Sequence, residues 1–90
     1  MKTLHIEGRR WFQKSYGNTY NSAQIFIDGD LVHTVPAGYG YGEHYLDRAA
    51  DWMIENGHLP KDCRPLSLYC RENGIKFFYQ ATDVSREKDL

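Results

Sequence analysis

The chain reads as an α+β domain: an antiparallel sheet of four or five strands with one α-helix packed across it. Two observations carry this expectation. One stretch, Gly42 to Asn56, repeats its apolar residues at helical spacing. Two Asx-Gly pairs, Asp28-Gly29 and Asn73-Gly74, each divide alternating apolar runs, and such pairs supply the positive φ that tight hairpin turns need. Strands grouped before and after a helix give the order β-β-β-α-β-β and argue against parallel βαβ units.

Thr3 to Glu7 reads as a short edge strand, ended by Gly8 as a bulge or turn. Arg9 to Lys14 follows as a longer strand, joined to Tyr20 by a loop through Ser15-Tyr16-Gly17-Asn18-Thr19. Asn21 to Ile27 and Asp30 to Val35 form the hairpin about Asp28-Gly29. Its register is open. A two-residue loop pairs Phe26 with Leu31 and Gln24 with His33, whereas a bulged three-residue loop pairs Ile25 with Leu31 and Ala23 with His33, and the choice decides which face His33 takes.

In the helix, Tyr45, Leu46, Ala49, Ala50, Trp52 and Met53 make the buried stripe, with His44, Asp47, Arg48, Asp51 and Glu55 opposite. Glu43 suits the positive end of the helix dipole, Gly57 suits a left-handed cap, and Pro60 prevents continuation. Leu66 to Arg71 and Ile75 to Ala81 read as a second hairpin, with Leu66, Leu68, Cys70, Ile75, Phe77 and Tyr79 on one face. The expectation is one domain over residues 1–82, followed by a charged tail, Asp83 to Leu90, that frays.

Composition narrows the function classes. A chain of 90 residues has room for one modest core. A formal charge of -1, from 11 basic and 12 acidic residues, argues against affinity built mainly on neutralising phosphates. No apolar run reaches signal-peptide length or the roughly 20 residues that span a bilayer, so a cytoplasmic protein without a membrane partner is expected. Cys63 and Cys70 are too few for a disulfide framework. Together with His5, His33, His44 and His58 they fall at irregular separations that match no zinc pattern, so neither metal nor cofactor is expected.

Aromatic residues make up 14% of the chain and crowd its front half, so contact chemistry is sought there. Arg9, Arg10 and Lys14 with Trp11, Tyr16 and Tyr20 have the makings of a surface that stacks bases and touches phosphate. The other reading packs one ring in the core while the charges guard an edge strand. Alternation forbids Trp11 and Phe12 from both pointing inward, so one of them faces outward or is covered by the helix or a partner. Tyr16, Asn18 and Tyr20 resemble the Tyr, Gly and Asn chemistry of binding loops. Tyr39 and Tyr41, set among Gly38, Gly40 and Gly42 ahead of a helix start, occupy a place where backbone N–H groups hold anions. The segment lacks a following Lys-Ser/Thr, and Glu43 competes there, so a glycine-assisted crossing onto the helix is the better explanation. His44 shares a stripe with Asp47, Arg48 and Asp51, as a solvated helix face also would. A convex helix on so short a chain offers little depth, and no catalytic residue is assigned.

The run Arg10-Trp11-Phe12-x-Lys14-x-Tyr16-Gly17-Asn18-Thr19-Tyr20, followed by Gly38-Tyr39-Gly40 and a helix, resembles a family of small uncharacterised proteins encoded in tailed-bacteriophage genomes. The likeness runs from the start of the chain to about Pro60, and the family pattern has His where this chain has Asn21. The resemblance implies an accessory phage product in the host cytoplasm, acting on a host enzyme, defence component or signal molecule. The expected function is therefore non-enzymatic binding of a host protein, with self-association into a homo-oligomer. The expected site comprises Arg9, Arg10, Trp11, Lys14, Tyr16, Asn18, Tyr20, Tyr39, Tyr41 and His44. Nucleotide or nucleic-acid binding by the basic and tyrosine residues is the alternative, and a small enzyme using His33 or His44 ranks third.

Overall fold

A computed structural model describes residues 1–90. Strands β1 (Thr3–Gln13), β2 (Asn18–Ile27) and β3 (Asp30–Tyr39) form an antiparallel meander. Helices α1 (His44–Glu55) and α2 (Leu66–Glu72) follow, and β4 (Lys76–Val84) returns to the sheet. The sheet order is β3-β2-β1-β4, with β4 lying parallel to β1. The chain is thus α+β with a mixed four-stranded sheet and two helices, where an all-antiparallel sheet and one helix were expected.

The largest departure is Leu66 to Glu72. Leu66, Leu68 and Cys70 fit a strand, but Leu66 and Cys70 also stand one helical turn apart, and these two are buried while Leu68 is exposed. Helix α2 wins because it seats both side chains in the core, worth on the order of 1.5–3 kcal/mol for Leu66 and less for the smaller Cys70. Asn73-Gly74 then ends a helix instead of turning a hairpin. Gly74 takes φ +67°, and the Ile75 N–H reaches back to the Cys70 carbonyl at 2.8 Å.

The second departure is β1, which runs unbroken through Gly8 in the middle of the sheet, not at its edge. Gly8 is there for room. A Cβ at this position would lie 2.5 Å from the Tyr45 ring, which α1 lays across the strand and buries to 2% exposure. Between β1 and β2 the loop is shorter than expected, Lys14 to Gly17, closed by the Gly17 N–H on the Gln13 carbonyl at 2.8 Å.

The Asp28-Gly29 turn forms as anticipated, with φ of 52° and 87°. Phe26 pairs with Leu31, as a two-residue loop requires, but a bulge then shifts the ladder so that Ile25 pairs with His33. Neither sequence alternative gave this combination, and it places His33 on the helix-covered face, stacked on Trp52 at 4.2 Å. Asp28 also ties down the N-terminus, its Oδ1 accepting the Lys2 and Thr3 N–H groups at 2.7 and 2.9 Å.

Alternation divides the sheet into two faces. Leu4, Ile6, Ala23, Ile25 and Val35 meet Tyr45, Ala49, Ala50 and Met53 of α1 to make the core, closed at one end by Leu59, Cys63, Leu66 and Cys70. The opposite face has no helix over it. Strand β4 continues through Val84, past the boundary drawn at residue 82. Beyond it, Glu87–Asp89 form a 3-10 turn, where the Arg9 guanidinium donates to the Asp89 carbonyl at 3.0 Å.

Candidate functional site

The uncovered face carries two cross-strand rows of rings, which follow from register. Trp11 pairs with Tyr20, and Tyr20 with Tyr39, so three aromatic side chains line up across β1, β2 and β3. Trp11 and Tyr20 stack at 5.8 Å, and Tyr20 meets Tyr39 edge-on at 5.9 Å. Directly opposed rings on strands hold one another in place, which stiffens the row. Tyr39, at the outer end, remains 62% exposed. Nearer the other end of the strands, His5 lies between Phe26 at 5.5 Å and Phe78 at 6.5 Å.

Polar residues fill the ground between the rows. Glu7 accepts from Gln80 at 2.8 Å and bonds the His5 ring at 2.7 Å, which occupies its carboxylate. Arg9 projects on the same face, with its guanidinium on Asp89.

The remaining residues of the expected site do not join this row. Arg10 follows Arg9 and therefore takes the helix-covered side, where it pairs with Asp83 at 3.0 Å and donates to the Gly42 carbonyl at 3.1 Å. Lys14 and Tyr16 sit in the β1–β2 turn, with Tyr16 76% exposed, and Asn18 opens β2 beside Gln13. Tyr41 projects from the β3–α1 crossing on the helix side, 75% exposed, and His44 begins α1. The structure thus brings together Arg9, Trp11, Tyr20 and Tyr39 and sets Arg10 on the other side, while Tyr39 also borders the helix-side groove that Tyr41 and His44 line.

A groove of about 800 Å³ lies on the helix side between α1 and β4, with Tyr41, His44, Asp47, Arg64 and Tyr79 on its walls. Arg64 is engaged there by Asp51 and, at 3.6 Å, by Asp47.

Sequence reasoning missed the polar cluster that fixes the end of β3. Asn21 is completely buried on the core side of β2, and its amide donates to the Gly40 carbonyl at 3.1 Å. Arg48 of α1 donates to the Asn21 main-chain and side-chain oxygens, both at 2.9 Å, and to the Pro36 carbonyl at 2.6 Å. Burial pushes the Arg48 guanidinium below its ordinary value, but a group of that basicity stays charged. Gly38 makes the space: a Cβ there would lie 2.7 Å from the guanidinium carbon. The signal available was an Asn in the core phase of β2, where an apolar residue is expected. This cluster clamps the residues on both sides of Tyr39, and so aims the outer ring of the row.

No family model, curated protein or solved structure matches the chain. No helix is long and apolar enough to cross a membrane.

Proposed function

We propose that the chain is a small non-enzymatic binding module that grips a protein partner with the Trp11, Tyr20 and Tyr39 end of its uncovered sheet face. The single observation that supports this reading most is the three-ring row itself. Large amphipathic rings on rigid strands lose little freedom on binding, and Tyr and Trp dominate the energetics of protein interfaces. The phage-protein resemblance makes a host-cell protein the natural partner class, with Tyr16 and Tyr41 at the margins of the contact. The face is open, with no helix over it, and its one central carboxylate is already bonded, which favours recognition over chemistry.

The test is affinity capture from bacterial lysate, followed by titration of the captured partner. Trp11→Ala and Tyr39→Ala should each weaken binding about 30-fold, as loss of a central aromatic anchor does. Phe12→Ala is the control, since Phe12 is exposed on the other side. Equal affinity for the parent and Tyr39→Ala would refute the assignment.

A second reading, single-stranded nucleic acid, draws on the stacked Trp11–Tyr20 pair beside Arg9. It is weakened by Arg10, whose guanidinium is held by Asp83 on the far side. Steep loss of oligonucleotide binding with added salt would favour it, whereas an aromatic protein interface changes little.

A further inference from the structure

The two edges of the sheet are built differently. Strand β3 contains Pro36, which has no N–H to offer, and its pairing with β2 shifts register twice, between Asn21 and Ala23 and between Ile25 and Phe26. Prolines and bulges are the devices by which edge strands refuse a further neighbour. Strand β4 has neither. It pairs with β1 residue for residue from Lys76 to Val84, contains no proline or glycine, and has no strand on its outer side. The Lys76 N–H donates to the Lys2 carbonyl at 2.9 Å, so Lys76, Phe78, Gln80, Thr82 and Val84 direct their backbone toward β1. By alternation, Phe77, Tyr79, Ala81 and Asp83 present their N–H and C=O groups outward. Phe78 and Tyr79 remain 55% and 47% exposed on the two sides of this edge. The chain after Val84 bends onto the open face at Arg9 and does not extend the sheet.

We infer that β4 is a self-association edge, and that a second copy of this chain adds its own β4 antiparallel to it, forming a continuous sheet across a two-fold axis at Gln80. A two-fold contact sets a surface against itself, and an antiparallel strand pair satisfies that condition. Outward-directed residues must meet outward-directed residues, which limits the register to steps of two. Centring on Gln80 opposes Phe77 to the partner's Asp83 and Tyr79 to the partner's Ala81, and uses the whole strand. Centring on Tyr79 or Ala81 leaves part of the strand overhanging. In the Gln80 register, Lys76 faces the partner's Val84 and Phe78 faces the partner's Thr82, so no like charges are opposed. The dimer joins the two uncovered faces into one. It stands independently of the reading of Trp11, Tyr20 and Tyr39, which lie on the other strands.

Cysteine crosslinking tests both the edge and the register. At a non-hydrogen-bonded antiparallel pair the Cα atoms lie about 4.5 Å apart, within the span a disulfide bridges. Gln80→Cys should therefore be trapped as a disulfide dimer under mild oxidation of the folded protein. Phe78→Cys alone should not, but Phe78→Cys mixed with Thr82→Cys should yield the mixed dimer. Cys63 and Cys70 are fully buried and stay out of the reaction. The parent should sediment as a dimer in the micromolar range. Gln80→Lys, whose new ammonium group meets Glu7 within each monomer and its own copy across the axis, should weaken that dimer about tenfold. A parent that sediments as a monomer throughout this range would overturn the inference. So would a dimer in which Gln80→Cys stays reduced.

Discussion

Removing the Arg48 guanidinium should expose how strongly the end of β3 is held. Arg48→Met keeps the aliphatic stem and deletes three hydrogen bonds from a charged donor. The Pro36 residue is exposed, so water replaces the bond at its carbonyl. The Asn21 oxygens have no such recourse, because the residue is fully buried, and each unsatisfied acceptor costs about 1–3 kcal/mol. The sum, with partial relaxation, is about 2–4 kcal/mol, against a total stability expected near 5–10 kcal/mol for a domain of this size. Asn21→Ala removes only one of the three Arg48 bonds, so the pair should show a coupling of about 1–2 kcal/mol in a double-mutant cycle. Urea denaturation followed by tryptophan fluorescence measures all four states, with an unchanged m-value as the check that folding stays two-state. Strict additivity, or a loss below about 1 kcal/mol for Arg48→Met, would show that the cluster does not bear on the fold.

Three further outcomes are expected. Gly8→Ala should destabilise the protein by about 1–3 kcal/mol in the same urea assay, because the new methyl group meets the buried Tyr45 ring. The Asp28 carboxyl is held below its usual 3.8, first by the Lys2 N–H and then by the Thr3 N–H, so its contribution to stability is present above that value and is lost as pH falls through the lowered folded value. Asp28→Asn, which keeps the turn geometry, should flatten that acid limb in melts between pH 5 and pH 2. Desolvation raises both thiols, so Cys63 and Cys70 should resist alkylation at neutral pH until urea unfolds the chain, as mass spectrometry of labelled protein would show.

What was legible in the sequence was what local physics decides. Helix α1 declared itself through a long apolar period, and the Asp28-Gly29 hairpin through its turn. The three-stranded meander followed from both. Leu66 to Cys70 was too short for periodicity to separate helix from strand, and the deciding factor, a place in the core for Leu66 and Cys70, depends on residues far along the chain. The direction of β4 was lost with it, since a hairpin forces antiparallel pairing and a helix does not. Gly8 was read as a bulge or turn, but β1 passes through it regularly and the glycine serves only to admit a ring that arrives from α1. The candidate site divided for a reason visible in advance: Arg9 and Arg10 are neighbours on a strand and must face opposite ways. Arg48 was assigned to the solvated face, but its place beside Ala49 borders the buried stripe of α1, where a long side chain can reach inward.

The parallel seam of β1 with β4 joins Thr3 to Lys76 and Trp11 to Val84, so the first strand is completed by the last. During translation the meander leaves the ribosome with one flank of β1 bare, and the sheet closes only when the chain has emerged through Val84. Such distant closure slows folding relative to local hairpins. A premature stop ahead of Lys76 would leave a three-stranded sheet with β1 as an unguarded edge, a species fated for aggregation or proteolysis.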